Sequence, residues 1–77
     1  MKIPGDLSGN DLIKILFKFG YIVTRQKGSH IRLSRTQEST THHLTVPNHD
    51  PLKLGTLSSI LSDVAEHLKI SKEDILK

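Results

Sequence analysis

The sequence predicts a two-layer α+β domain with the element order α-β-β-β-α, in which a three-stranded antiparallel sheet carries two helices on one face. Apolar residues recur at helical spacing near both ends of the chain, and three strand-like runs lie between them. The links between these runs are far too short for parallel crossovers. Two amphipathic helices can therefore cover one face of the sheet, and we expect the other face to be open.

The length of 77 residues fits a single domain spanning residues 1–77. Apolar residues make up 35% of the chain and fall on defined faces, which argues against disorder. The absence of cysteine excludes disulfides, thiolate nucleophiles and cysteine-based zinc sites. Because no run reaches membrane-spanning length and the first residues contain no apolar signal core, we expect a cytoplasmic protein with no membrane partner.

Each element follows from local signals. Ser8 is a good N-cap for the first helix, and Gly20 is suited to end it. Gly28 can form a tight turn between the first two strands, and Pro47 ends the third. We expect a lead-in at residues 1–7, the first helix at 9–19, strands at 21–26, 30–35 and 41–46, the second helix from Gly55-Thr56, and a short helical tail within 70–77.

Strand parity divides the side chains between the two faces of the sheet, since neighbours along a strand point to opposite sides. In the second strand, Ile31 and Leu33 are expected to be buried. His30, Arg32 and Ser34 then share the open face.

The same alternation applies to the flanking strands. We expect Tyr21 and Val23 to point inward and Ile22 and Thr24 to lie on the open face. In the third strand Leu44 and Val46 are expected inward, with His43 and Thr45 on the open face, and Phe17 joins Tyr21 in the predicted core.

The charge is modest overall but uneven along the chain. The formal net charge is +3, and residues 14–35 contain no acidic residue. The bases in that segment are Lys14, Lys18, Arg25, Lys27, Arg32 and Arg35. A positive field over the first helix and the first hairpin favours a polyanionic partner.

Two blocks of sequence resemble a known family. Residues 25–30, RQKGSH, resemble the signature of the HicA/YcfA-type mRNA interferase toxins. The runs LTVPNH at residues 44–49 and KLGTL at 53–57 resemble the second block of that family. The α-β-β-β-α order is also similar to the double-stranded-RNA-binding-domain (dsRBD-like) fold.

The resemblance implies the toxin of a type II toxin–antitoxin pair, with a HicB-like antitoxin as partner. It implies an endoribonuclease that cleaves mRNA without a metal or other cofactor. The histidine of the Gly-Ser-His element is catalytic in the family, which gives that role to His30.

The residues themselves are compatible with this chemistry. RNA carries its own nucleophile, the 2′-hydroxyl, and a histidine can accept or donate a proton near neutral pH. Cations can stabilise the charge of the crowded phosphate, and the amides of a glycine turn or a helix N-terminus can hold its oxygens. The candidate RNA-binding residues are Arg25, Lys27, Gly28, Ser29, Arg32, Lys53 and Thr56.

Other interpretations use the same residues. A metal site is disfavoured because His42 and His43 are adjacent in a strand and must point to opposite faces, with no acidic cluster beside them. A non-catalytic RNA-binding module that kept the fold and a protein-interaction domain that uses its open sheet face both remain alternatives. His30 discriminates between them, since only the nuclease needs its imidazole.

Overall fold

The computed structural model describes residues 5–77, so the first four residues of the predicted lead-in lie outside the described residues. The elements are α1 (Gly9–Phe17), β1 (Ile22–Lys27), β2 (His30–Gln37), β3 (Thr40–Pro47), α2 (Leu54–Leu68) and α3 (Lys72–Leu76). They form one open antiparallel sheet, ordered β1-β2-β3, with helices packed on it. The predicted α+β class and the α-β-β-β-α order are confirmed.

A capping box starts α1, as the sequence predicts. The Asp11 amide donates to Ser8 Oγ at 3.0 Å, and the Ser8 amide donates to Asp11 Oδ2 at 3.2 Å. These hydrogen bonds lower the pKa of the Asp11 carboxyl. The helix ends at Phe17, earlier than predicted, and the chain turns through Gly20, whose φ of 95° lies in the region that favours glycine.

Two tight hairpins join the strands. Lys27 pairs with His30 across the first turn, and Gly28 takes a φ of 58° at its first central position. This is the position of glycine in a type II′ hairpin. Gln37 pairs with Thr40 across the second turn, so this loop is shorter than the sequence suggests.

A β-bulge interrupts β1. Val23 pairs with Leu33 and Arg25 pairs with Arg32, so Thr24 is the additional residue. Residues directly opposite each other share a face, and Val23 therefore lies on the helix side, as predicted. Val23 is nevertheless 50% exposed, because it belongs to an edge strand.

One hydrophobic core lies between the sheet and the helices. Its strand members, Ile31, Leu33, Leu44 and Val46, all come from one face of the sheet. Tyr21 is fully buried, as expected, whereas the prediction for Phe17 is wrong: it is 66% exposed. Helical geometry turns Phe17 about 100° away from the fully buried Leu16.

The C-terminal helices complete the helical layer. The second helix begins at Leu54, one residue before the predicted start, with Lys53 as its N-cap. Its predicted apolar stripe is buried at Leu57, Ile60, Leu61 and Val64, while Leu68 is half-buried. Ser71 caps α3 by accepting from the Asp74 amide at 3.1 Å. Within residues 5–77, no helix is long and apolar enough to cross a membrane.

Candidate nucleic-acid interface

His30 lies at one end of the open sheet face. It is the first residue of β2, directly follows the Gly28-Ser29 turn, and is exposed. In the ladders it lies opposite Lys27 of β1 and Pro47 of β3. The predicted orientation of His30, away from the core, is confirmed.

A concavity of about 340 Å³ opens beside this histidine. Its lining residues are Arg25, Lys27, His30, Arg32 and Thr45. The ladders explain the grouping, because Arg32 lies two residues along β2 from His30, on the same face, and pairs with Arg25 on one side and with Thr45 on the other. Three cations and no carboxylate line the concavity, so its electrostatic potential favours an anion.

The bulge at Thr24 is what brings these cations together. Plain alternation from the inward Tyr21 would place Arg25 and Lys27 on the helix side as well. The extra residue reverses the parity, so that Tyr21 stays in the core while both cations join His30. Sequence reasoning missed the bulge, although the sequence held a signal for it. Strict alternation from an inward Tyr21 puts Lys27 on the helix side, whereas pairing with His30 puts Lys27 on the open face.

The other predicted site residues fall into two groups. Gly28 and Ser29 form the turn beside His30, and the Ser29 carbonyl accepts from the Asn48 amide at 2.6 Å, which ties the turn to the end of β3. Lys53 and Thr56 lie at the start of α2 and do not line the concavity. The structure therefore joins five of the predicted RNA-binding residues around the hairpin and leaves these two apart.

A second histidine lies on the same face. His43 is exposed, and its Nδ1 lies 2.6 Å from Ser34 Oγ, which in turn lies 3.3 Å from Thr24 Oγ1. Ser34 is on the predicted face, but these neighbours leave it only 7% exposed, so the expectation that it is open to solvent is wrong.

His42 points to the opposite side, as strand parity predicts. Its Nε2 lies 3.3 Å from Asp63 Oδ1, and its Nδ1 lies 2.6 Å from the Tyr21 hydroxyl. The His42 ring stacks on His67 with centroids 4.2 Å apart. Desolvation, with smaller contributions from His42 and Arg35, lowers the pKa of His67. This cluster links the sheet to α2 and takes no part in the concavity.

Comparison with known proteins gives one match. A family model described as "HicA toxin of bacterial toxin-antitoxin" matches residues 9–65, well over half of the 77-residue chain. The matched segment includes every residue that lines the concavity. A comparison with curated proteins found no match, and a comparison with solved structures found none either.

Proposed function

This chain belongs to the HicA toxin family of bacterial toxin–antitoxin systems, and from that premise we propose that it is a metal-independent mRNA endoribonuclease with His30 as its catalytic residue. The observation that carries the proposal is the position of His30 on a concavity whose other charged residues are all cations. An exposed imidazole beside positive charge suits proton transfer next to a phosphate.

The proposed reaction uses the hydroxyl that RNA itself supplies. The His30 imidazole accepts the proton of a 2′-hydroxyl, and the resulting oxyanion attacks the adjacent phosphorus. The bond to the 5′ oxygen breaks and that oxygen takes a proton from water, which leaves a 2′,3′-cyclic phosphate and a 5′-hydroxyl end. DNA lacks the nucleophile, so the activity is restricted to RNA.

The cations stabilise the charge that develops on the phosphate during this step. Lys27 lies directly opposite His30, and the Arg25–Arg32 pair lies two residues farther along the ladder. Their positions support contacts with the oxygens of the scissile phosphate and its neighbours. Gly28 and Ser29 are exposed, and the backbone amides of their turn are proposed as further donors.

Lys53 and Thr56 have a different role in the proposal. They stand at the N-terminus of α2, where unpaired backbone amides and the helix dipole favour an anion. We assign them to a phosphate elsewhere on the same RNA, since they do not line the concavity. Their loss is expected to weaken binding without affecting the chemical step.

The proposed partner is a HicB-like antitoxin, and the proposed location is the cytoplasm, where mRNA is available. A toxin of this kind is expected to be harmful when produced alone. Production of the protein with and without His30→Ala in growing cells tests this, because the substitution removes the proposed catalytic group at an exposed position outside the hydrophobic core. Equal growth of both cultures would contradict the toxin role.

Cleavage of a defined RNA oligonucleotide in the presence of EDTA is the direct test. The native chain is expected to cleave the RNA, and neither His30→Ala protein nor an all-deoxy substrate is expected to give product. Equal binding without cleavage by both proteins would favour a non-catalytic RNA-binding module. Loss of activity in EDTA that added Mg²⁺ restores would overturn the metal-independent mechanism.

A further inference from the structure

A chain of hydrogen bonds crosses the open face next to the concavity. It joins His43 Nδ1 to Ser34 Oγ at 2.6 Å, Ser34 Oγ to Thr24 Oγ1 at 3.3 Å, and Thr24 Oγ1 to the Arg32 carbonyl at 3.4 Å. Thr24 is the extra residue of the β-bulge, so the same irregularity that gathers the cations also completes this chain.

The last acceptor in this series of hydrogen bonds fixes which atom donates in each of them. A backbone carbonyl can only accept, so Thr24 donates to Arg32. Each hydroxyl has one proton to donate, so Ser34 donates to Thr24 and accepts from His43. The proton of the neutral imidazole is therefore on Nδ1, and Nε2 carries a free lone pair. Since His43 is exposed and Nδ1 is held against the sheet, Nε2 is available as an acceptor on the open face.

The ladders place His43 beyond the reach of the scissile phosphate. His30 pairs with Pro47, and Ser34, four residues farther along β2, pairs with His43. Four residues of strand span about 13 Å, so the two imidazoles cannot serve one phosphodiester. The Arg32–Thr45 pair lies midway between the two histidines on the open face, so the surface that joins them is polar.

We propose that His43 binds the 2′-hydroxyl of a ribose that flanks the cleaved nucleotide, by accepting its proton at Nε2. The inference rests on the proposed nuclease function and specifies how the RNA lies: it runs from the first hairpin along β2 and β3. A 2′-hydroxyl is the ligand of choice because it is a donor, is present on every nucleotide of RNA, and is absent from DNA.

The test compares two oligonucleotides cleaved at the same position. One is RNA throughout, and the other has deoxyribose everywhere except at the cleaved nucleotide. For the native protein we expect a KM roughly fivefold lower for the all-RNA substrate, the effect of one hydrogen bond, with kcat unchanged. His43→Asn keeps a donor for Ser34 but lacks the outward acceptor, so we expect both substrates to have the same, higher KM.

His43→Gln is the matched control, because its longer side chain can return an amide oxygen to the position of Nε2. It is expected to recover part of the preference for flanking ribose. The inference is overturned if the native protein cleaves both substrates with equal KM, or if His43→Asn keeps the preference. Failure of the native protein to cleave either substrate would instead refute the nuclease function on which the inference rests.

Discussion

Neutralising one cation of the concavity should change how RNA binding depends on salt. Each phosphate contact with a single strand contributes about 0.7 to the slope of log K against log salt, through release of a counterion. Arg25, Lys27 and Arg32 line the concavity, and Lys53 is assigned to a further phosphate, so four contacts predict a slope near −2.8. Affinity should then fall about 50-fold between 50 and 200 mM salt.

Arg25→Gln removes one of these contacts. The expected slope is about −2.1, and the same change in salt should then weaken binding only about 18-fold. Fluorescence anisotropy with a labelled RNA measures both slopes, and His30→Ala in every protein prevents cleavage during the titration. All titrations are made at one pH.

Lys14→Gln provides the matched control. Lys14 is exposed on α1, which belongs to the helical layer and not to the open sheet face. This substitution also removes one positive charge, so a general effect of net charge would make the slopes for Lys14→Gln and Arg25→Gln equally shallow. An unchanged slope for Arg25→Gln, or an equal decrease for Lys14→Gln, would refute the argument that the concavity is the RNA contact.

Three further predictions concern stability. Tyr21→Phe leaves His42 Nδ1 without its hydrogen-bond partner at 2.6 Å. The free energy of unfolding should fall by about 1–2 kcal/mol, which corresponds to a decrease of roughly 4–16 °C in Tm. A change below 1 °C in thermal unfolding would contradict this. Because the pKa of His67 is lowered in the folded state, its contribution to stability is complete above pH 6.5 and is lost as the pH falls below it. Tm should therefore drop between pH 7.5 and pH 5, and His67→Gln should reduce that drop. In Gly28→Ala the alanine must adopt a φ of 58°, although its added Cβ meets no neighbouring atom. Backbone strain should therefore lower the free energy of unfolding in denaturant by about 1 kcal/mol. Unchanged stability would refute the strain argument.

Much of the architecture could be predicted from local signals alone. The cap at Ser8, the turn at Gly28 and the apolar stripe of α2 act within a few residues, so their patterns are visible in the sequence. The face on which His30 lies followed from alternation with Ile31. These predictions succeeded because helical and strand periods are properties of the backbone.

Exposure was harder to predict than orientation. Val23 lies on the predicted side of the sheet yet is half exposed, and Phe17 is exposed at the end of a helix whose apolar face it was expected to extend. Ser34 shows the opposite difference, since its hydrogen-bond partners cover it on the open face. Coverage depends on which elements pack nearby, and the periodicity of one strand or helix does not contain that information.

The sequence by itself determined the order of the elements, the tight turn before His30 and the excess of cations around it. Only the tertiary structure decided which cations lie with that histidine. The bulge at Thr24 changes the parity of β1, so that Val23 on the helix side and an outward Arg25 can occupy the same strand. A bulge forms where two strands must satisfy both the core and the register of their hairpin, and that conflict exists only once the strands are paired.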